Sequence, residues 1–337
     1  MEVSIVICTA NRARDLHDTL ASLADVRLPG PTELIVVDNR STDGTRSVID
    51  EATRWMPFPV RYLFESEDGK YAALNSGIRA ASGRVIITTD DDVRFEEDWV
   101  ERAVDGLSRY GCDFVGGRVL PVWGSAKPAW LTPATCGLHA EVIALLDNGP
   151  NVGEFGCGVS WPLSVNVAYR REVFDRVGLF DNRFGRKSGT LRSQAQREWH
   201  LRARQLGVRG FYLPNMVVHH LVKGERLTKQ YFRRWLYRQG ISRAVLFRQG
   251  GFDIEEPESE RSRHDRVPQV GGVPLPLIAK AGRSLSSALW QSITGHARTA
   301  FENELWLCFF AGVVRQRWAD RSAYDARTSA VTTKARA

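Results

Sequence analysis

Three consecutive carboxylates, Asp90-Asp91-Asp92, follow the apolar run Val85–Thr89. Like charges at the end of a buried strand are tolerated when a cation neutralises them. Hard oxygen ligands in an open site suit Mg²⁺ or Mn²⁺, which keep waters and take further ligands from phosphate. The competing reading is a solvated turn leading into the helix that opens near Glu96-Glu97-Asp98. A fourth carboxylate, Asp38, follows the apolar run Leu34–Val37 and can accept a hydrogen bond from a pyrimidine N3–H or a ribose hydroxyl. Behind it, Ser41-Thr42-Asp43-Gly44-Thr45 reads as a turn and helix cap, a structural role for Asp43 and Thr45. A third polar cluster, Thr9-Ala10-Asn11-Arg12, follows Val3–Cys8.

The elements that must position these clusters are legible as an alternation. Val3–Cys8, Glu33–Val37, Val60–Phe64, Val85–Thr88 and Phe114–Val115 read as strands. Asp15–Ala24, Thr45–Arg54, Ala72–Ala80 and Glu97–Arg109 read as helices. This pattern predicts an α/β fold, a mostly parallel central sheet with helices on both faces. Ligands of such sheets bind beyond the carboxyl ends of the strands, so the three clusters belong to one edge. Residues 121–165 are rich in Gly, Pro and Trp and predict loops over the sheet, with Trp123, Trp130 and Trp161 as packing or as substrate platforms. Helical periodicity returns at Arg171–Val177, Gln194–Leu206 and Thr228–Phe247. Gly250–Gly272 reads as a linker or mobile loop, followed by amphipathic stretches near Leu277–Ile293 and Arg298–Arg317. The expected division is a domain over residues 1–222 and a basic helical C-terminal extension over 223–337.

With 43% hydrophobic and 25% charged residues among 337, the chain can bury a core and is not a disordered polyelectrolyte. Its net charge of +7 is divided unevenly along the chain. Residues 1–160 hold 15 basic and 24 acidic side chains, and residues 161–250 hold 19 and 5. That asymmetry excludes a uniformly basic nucleic-acid coat, and no nucleic-acid-binding module is present in the sequence. The cysteines Cys8, Cys112, Cys136, Cys157 and Cys308 are scattered, which argues against a zinc site or disulfide framework and predicts a cytoplasmic setting. The apolar runs Val3–Cys8 and Leu305–Val314 are too short for a signal core or a membrane span. Thr228–Phe247 carries Tyr231, Phe232, Trp235 and Leu236 beside Lys229, Arg233, Arg234, Arg238 and Arg243. A helix of this kind reads as peripheral to an anionic membrane surface, or as docked on the domain with solvated arginines.

The stretches Ser4–Arg12, Val36–Thr45 and Thr89–Val93 together resemble family 2 nucleotide-sugar glycosyltransferases of the GT-A fold. Lys70 with Ala73-Leu74-Asn75-Ser76-Gly77 is similar to the segment these enzymes place between their second and third clusters. Asn166–Phe174 and Val177-Gly178-Leu179-Phe180-Asp181 resemble their later motifs, and the likeness runs over about residues 3–220. It implies transfer of a hexose from a nucleotide diphosphate, with inversion, to a glycan or lipid-linked hydroxyl in polysaccharide or glycoconjugate synthesis. It also implies that residues 1–120 bind the donor and 121–222 the acceptor. The implied nucleotide-sugar contacts are Thr9, Asn11, Arg12, Asp38, Lys70, Asn75, Asp90 and Asp91, with Thr9 and Asp38 at the base. Asp92 would hold Mn²⁺ or Mg²⁺ on the diphosphate, joined by His219 or His220, whose imidazoles suit Mn²⁺. Asn166, Trp199 and His200 are the implied acceptor contacts. UDP is the expected donor carrier because Asp38 suits uracil, with thymine offering the same N3–H. The family's usual acidic pair falls on Ala195 and Gln196 here, leaving Glu198 as the candidate general base. The alternatives are that Glu198 only pairs with Arg202, or that the chain binds nucleotide sugars with impaired chemistry.

Overall fold

The computed structural model describes residues 2–131, 140, 142–185, 194–247, 268–270, 273–293 and 297–334. Most of the linker expected over 250–272 lies outside the described residues. Strands Val3–Thr9 (β1), Thr32–Asp38 (β2), Val60–Phe64 (β3) and Val85–Asp90 (β4) run parallel in the order β3-β2-β1-β4. β1 and β2 are buried on both faces, as continuous apolar runs require. Helices Ala13–Ala24 (α1), Thr45–Trp55 (α2) and Lys70–Ala80 (α3) leave the carboxyl ends of β1, β2 and β3. α1 buries Leu16, Thr19, Leu20 and Leu23 at helical spacing, each leucine contributing about 2 kcal/mol of burial before chain entropy.

Beyond β4 the sheet is mixed. The short strand Val93–Phe95 (β5) and helix Trp99–Arg109 (α4) precede Phe114–Trp123 (β6), Gly153–Glu154 (β7), Val167–Arg170 (β8) and Gly210–Val222 (β9). β8 lies antiparallel between β4 and β6, β6 runs parallel to β9, and β9 pairs antiparallel with β5 and β7. Helices Glu172–Val177 (α5) and Ala195–Gln205 (α6) lie between β8 and β9 in the chain. Sequence periodicity did not expose β5 or β8, because three or four residues are too few to show alternation. The β6–β9 ladder is interrupted: Gly117 pairs with Leu213 but Arg118 pairs with Val217, leaving Pro214, Asn215 and Met216 bulged out. An odd insertion exchanges the two faces of β9 beyond it.

The chain divides into two compact units, Met1–Lys127 with Ala140–Gly224 and Pro128–His139 with Glu225–Ala337. In the second unit, helix Lys229–Phe247 (α7) is followed by a hairpin of Gln269–Val270 (β10) and Val273–Pro274 (β11), then Leu275–Ile293 (α8) and Ala297–Lys334 (α9). Phe232, Trp235 and Leu236 of α7 are buried, as are Phe301, Leu305, Phe309 and Val313 of α9. Trp130 meets Phe232 and Phe301 edge-on, with ring centroids 5.1 Å away in each case. The aromatic face of α7 is therefore helix–helix packing. The two backbones touch where glycines face each other. A Cβ on Gly240 would stand 2.0 Å from the Phe309 carbonyl oxygen, and one on Gly312 2.0 Å from that of Tyr237. Arg233 forks onto Glu304 at 2.5 and 3.0 Å across the same pair.

Gly240→Val should destabilise the protein by about 1–3 kcal/mol, because main chain cannot yield to the added methyl groups. Gly282→Ala on α8, where a Cβ meets nothing within 4 Å, should be neutral or mildly stabilising. Denaturant unfolding followed by tryptophan fluorescence compares the two.

Candidate active site

β1, β2 and β4 end side by side. Thr9 pairs with Asp38 and Cys8 with Asp90 in register, so all three sequence clusters stand on one sheet edge. Asp91 and Asp92 form the turn into β5, and Val93 pairs with His220 of β9. The Leu221 amide donates to the Asp92 carbonyl at 2.9 Å, which fixes the carboxylate turn against the end of β9. His220 Nε2 then lies 3.2 Å from Asp92 Oδ1. One ligand atom each from Asp90, Asp92 and His220 falls within 4.8 Å of the others.

Two permanent cations also meet this cluster. Arg12 Nη1 donates to Asp91 Oδ1 at 2.9 Å and to Asp92 Oδ2 at 2.6 Å. Lys70 Nζ donates to Asp90 Oδ1 at 2.6 Å and to Ser164 Oγ at 3.1 Å. Burial works against both charges, but the carboxylates outweigh it and hold Arg12 and Lys70 above their usual pKa values. Burial pushes the Asp91 carboxyl up to about 6 against the pull of Arg12, with Asp92 and Asp90 adding to the rise. Three carboxylates against two fixed cations leave a net negative centre of hard oxygens, with one imidazole beside it. His220 is 3% exposed and its Nδ1 has no hydrogen-bond partner among the described residues. This donor set fits a divalent ion of the Mn²⁺ or Mg²⁺ kind. Asp90, Asp92 and His220 would hold it.

Asparagine side chains build the frame. Asn39 donates to the carbonyls of Glu65 and Glu67 and accepts from the Gly69 amide at 2.9 Å, which sets the start of α3 and hence Lys70. Gly69 has φ +138°, and a Cβ there would stand 2.6 Å from Asn182 Oδ1, so glycine is required. Asn11, with φ +54°, accepts from the Thr42 amide at 2.8 Å, tying the exits of β1 and β2 together. Asp38 accepts from the Ser41 amide at 2.8 Å and from the Tyr62 hydroxyl at 3.2 Å. Asp43 takes the Thr45 amide and hydroxyl, the capping role its position predicts.

Several residues expected at the site are engaged by other groups of the protein. Asn75 spends both ends of its amide on the Phe180 backbone, at 2.7 and 3.1 Å, and is a strut between α3 and the segment after α5. Asn166 is fully buried. It donates to the carbonyls of Arg118 and Met216 at the β9 bulge and accepts from Trp99 Nε1 at 2.8 Å. Trp199 is core, its Nε1 donating to the Gly178 carbonyl at 2.8 Å. His219 points away from His220, as neighbours on a strand must, and meets Glu96 at 2.8 Å. His200 is buried between Phe114 and Trp161, with ring centroids 5.4 and 4.9 Å away. Trp161 is thus a packing residue.

Glu198 is held by Arg202, at 2.6 Å from Nε to Oε1 and 3.0 Å from Nη2 to Oε2. Arg202 is itself anchored on the carbonyls of Val177 and Leu179. Ala195, the first residue of α6, is fully buried. Sequence reasoning missed Ser164 and Tyr71. Ser164 accepts from Lys70 Nζ, and Tyr71, buried next to that lysine in α3, packs against Phe180 with ring centroids 5.3 Å apart. A serine and a tyrosine carry no motif of their own, and only the fold brings them to the site.

A sheet whose carboxyl edge presents a carboxylate turn, a histidine and a paired lysine, flanked by helices, is the GT-A architecture of nucleotide-sugar transferases. The profile of glycosyl transferase family 2 matches residues 4–178, and the chain belongs to that family. It is 27% identical over 235 residues to the glycosyltransferase AglE of Haloferax volcanii, covering 68% of this chain and 70% of that one. It spans little more than half the length of the next two curated relatives it matches. Its fold matches the mannosyltransferase PcManGT from Pyrobaculum calidifontis, solved with GDP-Man and Mn²⁺. The TM-score is 0.61 at 19% identity, covering 94% of this chain and 87% of that one. S. aureus TarS 1-349 in complex with UDP matches with a TM-score of 0.53 at 17% identity over 94% and 92%. The chain is therefore a glycosyltransferase of GT-A type. Among the described residues, no helix is long and apolar enough to cross a membrane.

Burial, with a further contribution from Arg197, lowers the His200 pKa to about 3, so the ring is neutral in the folded protein. Unfolded, it protonates near 6.5, so between pH 6.5 and 3 the unfolded state binds more protons and stability falls as pH falls. His200→Phe should remove about 2 kcal/mol of the stability loss between pH 6.5 and 5, read from denaturant unfolding at the two pH values.

Proposed function

We propose that the chain is a Mn²⁺-dependent inverting glycosyltransferase. In this reading it moves a hexose from a UDP-sugar to a hydroxyl of a glycan or lipid-linked acceptor, in cell-surface polysaccharide or glycoconjugate synthesis. The observation that carries it is the meeting of Asp90, Asp92 and His220 within 4.8 Å on the sheet edge that also presents Thr9, Asp38 and Lys70. Asp38 accepts from the base N3–H, and Thr9 lines the same end of the groove. Lys70 balances charge on the diphosphate side, while Arg12 keeps the Asp91 and Asp92 carboxylates apart and oriented. A divalent ion bound there supplies Lewis-acid stabilisation of the departing diphosphate. Glu198 is the carboxylate assigned to the acceptor proton, once it exchanges Arg202 for the hydroxyl. The free cysteines among the described residues support a reducing, cytoplasmic setting, and a lipid-linked acceptor would bring the enzyme to the membrane face.

A second reading is favoured by one observation. Both oxygens of Glu198 are engaged by Arg202, at a place where the family resemblance implies an acidic pair and this chain has Ala195 and Gln196. On that reading the chain binds donor and transfers poorly or not at all.

UDP with Mn²⁺ should stabilise the protein by about 2.7 kcal/mol at a hundredfold excess over Kd, seen as a rise in Tm. Asp92→Asn and His220→Ala should each remove the Mn²⁺-dependent part of that rise. Absence of any shift with nucleotide diphosphates would remove the donor assignment. Glu198→Gln should lower kcat about 10²–10⁴-fold with donor affinity unchanged if it is the base. Unchanged kcat removes Glu198 as the base, and wild-type donor binding with no transfer to any acceptor selects the second reading.

A further inference from the structure

The outermost apolar residues of the second unit lie mainly on one of the stretches that sequence amphipathicity marks, the helix α8. Phe232, Trp235 and Leu236 of α7 and Phe301, Leu305, Phe309 and Val313 of α9 are buried, whereas Leu275, Leu285, Leu289 and Trp290 of α8 are 43, 51, 60 and 69% exposed, as is Trp318 of α9 at 74%. Leu275 and Trp290 lie across α8 from the buried Leu277, Ala281 and Ser284, while Leu285 and Leu289 continue the Leu277–Ala281 row toward them, so the exposed apolar residues span one broad arc of the helix. The positions between them are small: Ala279, Gly282 and Ser286 are exposed as well. α8 contains no acidic residue, and its charges are Lys280 and Arg283. The Lys280 ammonium sits 3.3 Å from the centroid of the Trp306 ring, while Arg283 is exposed at the edge of the apolar face.

We propose that the outer face of α8 is a docking surface for an anionic lipid bilayer. Leucine and tryptophan on one side of a helix, with small residues between them and cations alone at the border, suit a helix lying in the headgroup plane. Arg283 meets anionic headgroups there, each such contact adding attraction that salt screens. Charge also argues against a second copy of the chain as the occupant. An isologous contact through this face would bring the cations of two α8 helices together with no carboxylate on either helix to pair them. The inference deepens the lipid-linked acceptor reading and rests on it for its purpose. Bilayer binding itself is measured without any sugar transfer.

The test is co-sedimentation of the full chain with phosphatidylcholine vesicles, with and without phosphatidylglycerol. The wild type should bind the anionic vesicles and be released as salt rises. Combined Leu285→Ser, Leu289→Ser and Trp290→Ser should weaken binding by at least about tenfold, because those side chains supply the inserted area. Arg283→Glu should weaken binding to anionic vesicles alone. Tm and the UDP–Mn²⁺ shift in solution, measured on each variant, separate a loss of bilayer binding from a loss of fold, and Leu285→Ser with Leu289→Ser alone should also weaken vesicle binding. The proposal is overturned by wild type that ignores anionic vesicles, or by a triple variant that binds as wild type does. It is equally overturned if the wild type sediments at equilibrium as a dimer that the triple substitution dissolves. Failure of the transferase reading would appear separately, as loss of nucleotide binding or transfer in solution.

Discussion

Three adjacent carboxylates at the end of a buried strand impose the constraint around which the first unit is arranged. Repulsion among them and the loss of water would protonate or displace them unless positive charge arrives from elsewhere in the chain. It arrives from different elements: Arg12 at the exit of β1 and Lys70 at the start of α3, with the His220 imidazole at the end of β9 beside them. The two fixed cations do not match three anions, and the residual negative charge on hard oxygens has the chemistry that suits a divalent ion. Cys8, on the strand beside Asp90, takes no part in this balance, since burial pushes its thiol pKa well up and keeps it neutral.

Holding these groups within hydrogen-bond reach requires loops as fixed as the sheet. Asn39 fixes the approach to α3, Asn75 ties that helix to the segment after α5, and Asn166 closes the bulge between β6 and β9. Each saturates backbone groups that no ladder or helix satisfies, which is why a neutral amide serves better than a charge. The bulge has the largest consequence. By displacing Pro214, Asn215 and Met216 it sets which face of β9 meets Asp92, and so presents His220 rather than His219 to the cluster.

In the second unit, charge and hydrophobicity are separated differently. α7 and α9 consume their aromatic faces in a crossing close enough to require glycine on both backbones. The basic residues of α7 are then a mixture of ion-paired and solvated groups, Arg233 with Glu304 being the clearest pair. What is left outward on α8 is apolar, small or cationic, a surface composition that belongs to an interface more than to open water.

The strands β1 to β4, the helices after them and the three polar exits were legible in the sequence because each is a local pattern: an apolar run, a period of 3.6, and polar residues where the run stops. The α/β class and the carboxylate edge followed from that alone, and the family resemblance from the same residues. Other features depended on contacts between distant segments. β8 and β5 are too short to announce themselves, and Ser164 and Tyr71 have no motif. Trp199, Asn166 and Asn75 have the chemistry of ligand contacts but are used as packing and struts. Sequence by itself determined which residue types stand at the ends of the strands. Only the tertiary structure decided which histidine meets the carboxylate cluster, that Glu198 is tied to Arg202, and which helix face is left outside. Each of those outcomes is set by register and burial, which arise when segments far apart in the chain compete for the same neighbours.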